Sequence, residues 1–70
     1  SESRALIIVS GTTDGAALMI QPSVPMTGQV IDPVANGEIV STLTIAVTGE
    51  PWRVPLPPGR RLLLIVLQGP

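Results

Sequence analysis

The residues of this chain that could do chemistry are few: the carboxylates Glu2, Asp14, Asp32, Glu38 and Glu50, the guanidiniums Arg4, Arg53, Arg60 and Arg61, and one indole, Trp52. General acid–base catalysis near neutral pH is served most often by His, with Lys, Tyr, Cys or paired carboxylates as substitutes, and the first four types are all missing. A serine nucleophile needs an activating base, and the chain offers none. Asp14 and Asp32 both fall in turn-forming sequence, where Asp accepts backbone hydrogen bonds. The chain therefore reads as non-enzymatic, and an enzyme reading would require two loop carboxylates to converge in a cleft.

The remaining candidates are binding features. Gly11-Thr12-Thr13-Asp14-Gly15 lacks the Lys and glycine spacing of a phosphate loop and the oxygen series of a calcium loop, so it reads as a turn. Without Cys or His, and with carboxylates spread singly, neither a metal nor another cofactor is expected. Arg60-Arg61 reads as a solvated turn, and with a net charge of −1 there is no basic cluster for nucleic acid. Trp52 and Arg53 belong to the types enriched at energetic centres of interfaces. Trp52 either caps one end of the core or serves such an interface.

The elements that must position these residues read as strands and turns. Residues 4–10 and 16–21 are apolar segments joined by Asp14-Gly15, a spacing that predicts a hairpin. Pro22 and Pro25 interrupt pairing before a short strand at 28–31. Asn36-Gly37 is the strongest hairpin dipeptide, and it leads into a strand at 38–48 that alternates Leu43, Ile45 and Val47 with Thr42, Thr44, Ala46 and Thr48. That alternation predicts one buried face and one wet face. Pro55 confines 52–56 to an edge or bulge, and Pro58-Gly59 matches the centre of a type II turn before a last strand from 60 or 61 to 67. The expected fold is all-β, a single domain over 1–70 built as a small sandwich or barrel of about six strands.

Two runs set the expected function. Ala5, Leu6, Ile7, Ile8 and Val9 near one end, and Leu62 through Leu67 near the other, are apolar on both faces of any strand they form. At 70 residues and 44% hydrophobic, the chain has too little material to cover both faces itself, and no disulfide to supplement a small core. A homo-oligomer, a trimer or ring, is therefore expected, with Leu63, Ile65 and Leu67 in the protomer core. Ala5, Ile7, Val9, Trp52, Arg53, Leu62, Leu64 and Val66 are the expected interface. Neither run approaches the roughly 20 residues of a membrane-spanning helix, so no membrane partner is expected. Ser1 is small enough to have followed a removed initiator Met, which suggests a complete short product without a signal peptide.

Gly28-Gln29-Val30-Ile31-Asp32, followed by a strand and then by Leu56-Pro57-Pro58-Gly59, resembles the carboxypeptidase-regulatory-like sandwich modules over the second half of the chain. In those modules a G-x-V-x-D opening and an L-P-P-G before the last strand recur, although their aromatic residue in that strand is replaced here by Leu64 and its neighbours. The resemblance implies a monomeric binding or adhesion module with ligand contacts on loops. Composition favours the other class: a non-enzymatic protein that self-associates and docks on a larger assembly, such as a small capsid-decorating or cementing protein located in a virion, by analogy alone.

Overall fold

A computed structural model describes residues 3–70 as six strands in two antiparallel sheets. The strands are β1 Ser3–Ser10, β2 Ala17–Ile20, β3 Met26–Asp32, β4 Glu38–Ile45, β5 Trp52–Pro55 and β6 Leu62–Gly69. One sheet has the order β1-β6-β3-β4, and the other pairs β2 with β5. Their inner faces share one core: Val30, Ile45, Leu63, Ile65 and Leu67 from the larger sheet meet Val54 and Leu56 from the smaller side. Neither sheet closes on itself.

Local turn chemistry accounts for the hairpin of β3 and β4. Asn36 and Gly37 take φ values of 56° and 70°, the left-handed pair of the tight turn, closed by Glu38 N–H on Ala35 O, that ends the 33–37 loop. The predicted hairpin between the first two segments does not form. β1 pairs with β6 and β2 with β5, so the 11–15 turn carries the chain from one sheet to the other. Thr12 fixes that crossing. Its buried hydroxyl donates to Pro57 O at 2.7 Å and accepts from Arg60 N at 2.8 Å, while its backbone N–H donates to Arg60 O and its carbonyl accepts from Gly59 N. A turn that could have closed a local hairpin is thus claimed by the distant 57–60 turn, where Gly59 takes a φ of 74°.

β4 ends at Ile45, three residues short of the expected strand. Its partner β3 begins at Met26, directly opposite Ile45, and Pro25 precedes it, so residues 46–48 have nothing to pair with. Leu43 and Ile45 face inward as expected, but Val47 is exposed. A bulge at Val40, where Val30 pairs with Ser41 and Ile31 with Ile39, shifts the phase at the other end of the strand. Val40 packs on the core and Ile39 turns outward.

Candidate functional site

Residues directly opposed across an antiparallel sheet point to the same face, so the register sorts the larger sheet into rows. On the inner face, Ala5, Leu67, Gly28 and Leu43 form one row, and Ile7, Ile65, Val30 and Ser41 the next. Gly28 is required where it stands: a Cβ there would collide with Val66 O and come within 2.7 Å of Leu67 Cδ2. The close approach of β3 and β6 seats Leu67 in the core.

The outer face carries three rows of graded character. Ile8, Leu64, Ile31 and Ile39 make an apolar band across all four strands. Leu6, Val66, Gln29 and Thr42 follow, and then Arg4, Gln68, Thr27 and Thr44. Ile8 is 64% exposed, Leu6 59%, Ile39 55% and Val66 42%. Among the described residues nothing covers this face. Isolated exposed aliphatic side chains are ordinary, whereas a contiguous band with a polar margin has the character of a contact surface.

The structure divides the eight expected interface residues. Leu62, Leu64 and Val66 do lie on the outer face, and the complementary set Leu63, Ile65 and Leu67 is buried as expected. Ala5, Ile7 and Val9 lie on the inner face, opposite Leu67, Ile65 and Leu63, with Ile7 and Val9 packed against the core. The outward residues of β1 are instead Leu6 and Ile8. A sequence signal for this existed: Leu6 and Ile8 share their parity with Arg4 and Ser10, polar residues that belong outside. Trp52 and Arg53 stand on the other sheet and, as neighbours on one strand, point to opposite faces. Trp52 shares its face with Val54 and lines an open cleft of about 670 Å³ with Pro25, Met26, Ile45 and Gly69. Arg53 is exposed opposite Met19.

Arg60 is not the solvated turn residue expected. Its Nη1 donates to Asp32 Oδ2 and to Glu38 Oε1, each at 2.7 Å. Asp32 Oδ1 accepts from the backbone N–H groups of Val34 and Ala35 at 2.9 and 3.0 Å, the turn role read from the sequence. The Arg60 hydrogen bond, helped by these two N–H groups against the opposing effect of burial, holds the Asp32 carboxyl below its ordinary value of 3.8. Two carboxylates do converge here, at the paired ends of β3 and β4, but on a guanidinium. A carboxylate with lowered pKa, its oxygens already engaged, is a poor general base at neutral pH. The cluster ties the β3–β4 hairpin to the turn before β6.

Among the described residues no group of three or more His, Cys, Asp or Glu could hold a metal ion, no buried side-chain polar atom lacks a partner, and no helix is long and apolar enough to cross a membrane. In comparisons with protein-family models, curated proteins and solved structures, the chain matches none.

Proposed function

We propose that this chain is a non-catalytic assembly module that associates with further copies of itself through the outer face of the four-stranded sheet. In this reading the two sheets form a small sandwich whose larger outer face is a second, unfinished core. The apolar band of Ile8, Leu64, Ile31 and Ile39, widened by Leu6 and Val66, carries the proposal. A second copy suits it because two such faces can stack as aligned sheets do, about 10 Å apart, band against band. Covering Leu6, Ile8 and Val66 is worth on the order of 5–8 kcal/mol before association costs, comparable with the entire net stability of so small a domain. Association would thus couple to folding through mass action.

Size-exclusion chromatography with light scattering tests the proposal. The wild-type chain is expected to exceed monomer mass at micromolar concentration, and Ile8→Glu and Ile39→Glu, both at exposed positions, are each expected to lower that mass while the chain stays folded. A wild-type chain that stays monomeric and melts at a temperature independent of concentration overturns the reading and favours a monomeric module using the cleft beside Trp52.

A further inference from the structure

The way in which two copies meet is written in the edges of the sheets. An edge strand presents a row of unpaired backbone N–H and C=O groups, and folded proteins blunt such rows with short strands, proline, bulges or charge. Three of the four edges here are blunted. β2 has four residues and is followed at once by Gln21 and Pro22. β5 has four residues, carries Pro55 and lies between Pro51 and Pro57. β4 bears the bulge at Val40 and begins at the charged Glu38.

β1 is the least blunted of the four. It is eight residues long, pairs without a register shift along β6, and contains neither proline nor glycine. Its only charged residue is Arg4, near one end. Among the described residues it has a neighbour on one side only.

Resting on the self-association reading above, we infer that β1 pairs antiparallel with β1 of a second copy about a two-fold axis at Ile7, joining two four-stranded sheets into one of eight strands. The occupant follows from the edges. Pairing of β1 with any other edge of another copy meets proline, a bulge or a strand half its length, so β1 with β1 is the pairing left. It is also isologous and closes as a dimer instead of growing a filament.

The register follows from the side chains. With Ile7 facing itself, Leu6 opposes Ile8 of the second copy on the outer face, so the apolar band crosses the junction without interruption. Ala5 opposes Val9, a small residue against a larger one, and Arg4 opposes Ser10, which keeps the two arginines at opposite ends of the paired strands. A shift that set Arg4 nearer its counterpart would bring like charges together and leave Leu6 beyond the end of the pairing.

The absence of cysteine allows a direct test. Leu6→Cys and Ile8→Cys are each made singly in the full chain, at exposed positions, and mixed under mild oxidation. Opposed Cα atoms in an antiparallel pair lie within disulfide range, whereas the homotypic pairs 6–6 and 8–8 sit on diagonals beyond it, so the mixed 6–8 dimer is expected to form at least about tenfold faster than either homodimer. The same preference is expected in the Ile39→Glu background, which disrupts face stacking on β4 and leaves the β1 edge intact. Equal rates for the mixed and homotypic dimers overturn the edge pairing. In that event the mass of Ile39→Glu without added cysteines still decides the face reading: a monomer sustains face stacking alone, and a mass equal to that of wild type overturns it as well.

Discussion

The two faces of β6 are built from the same kind of residue and live in different worlds. Leu63 and Ile65 are 0% exposed, while Leu64 is half-buried and Val66 is open, although all four are aliphatic and adjacent in sequence. What separates them is the layer across the gap: the inner pair meets Val54, Leu56 and the rest of the core, and the outer pair has side neighbours such as Ile8 and Ile31 but no facing layer among the described residues. Hydrophobicity states what a strand needs on each side. The rest of the fold decides which side receives it.

Substitutions on the two faces should therefore differ most in kind. Ile65→Glu buries an unpaired carboxylate at a cost of several kcal/mol, beyond the roughly 3–5 kcal/mol such a small core supplies, so circular dichroism is expected to show an unfolded chain. Ile8→Glu, on the opposite side of the neighbouring strand, should keep a folded spectrum and move the monomer's urea midpoint by no more than about 0.5 kcal/mol. Equal damage from both would erase the distinction between the faces. Gly28→Ala sharpens it from the inner side, because the added methyl meets the β6 backbone at Val66 as well as the Leu67 side chain, and the backbone cannot swing aside. A loss of about 1–3 kcal/mol or more in chemical denaturation is expected. An unchanged midpoint would mean that β3 and β6 can part without cost.

The polar margin of the core should respond more mildly. Thr12→Val keeps the shape of the side chain but leaves Arg60 N without its acceptor, a change worth about 1–3 kcal/mol in the urea midpoint. Asp32 should give the smallest effect and a distinctive pH signature. Its folded pKa lies below its unfolded value, so its contribution is fully present above the unfolded value, near pH 4, and is lost as pH falls through the folded one. Asp32→Asn should accordingly be less stable than wild type at pH 7 and flatten the acid limb of the melting curve below pH 4. An acid limb identical in the two proteins would remove the Arg60 cluster from the account.

Much of this was legible in the sequence where the cause was local. Asn36-Gly37 and Pro58-Gly59 announce their turns because their torsional preferences act within a few residues. The side of β6 facing the core could be read from bulk, and the alternation of Leu43 and Ile45 with threonine from periodicity. Pairing was not legible. Asp14-Gly15 suits a hairpin as well as a crossing between sheets, and the choice is made by Thr12 bonding to a turn 45 residues away. The outward face of β1 followed from its register against β6, which turns Leu6 and Ile8 outward and Ile7 and Val9 toward the core. The bulge at Val40 is hidden in an unbroken Ile39-Val40 pair, and Arg60 found its carboxylates only once β3 and β6 lay side by side.

The placement of β6 between β1 and β3 also sets an order of events. The β3–β4 hairpin can zip from its own turn in microseconds, but β1 must wait for a partner whose residues follow it by more than fifty positions. As the chain leaves the ribosome, β1 emerges more than fifty residues ahead of its mate. Through that interval Leu6, Ile7 and Ile8 stand unprotected on both edges and both faces. Stalled synthesis or truncation before Leu62 leaves a strand with every side open, so shortened products are expected in the insoluble fraction, where the intact chain is not.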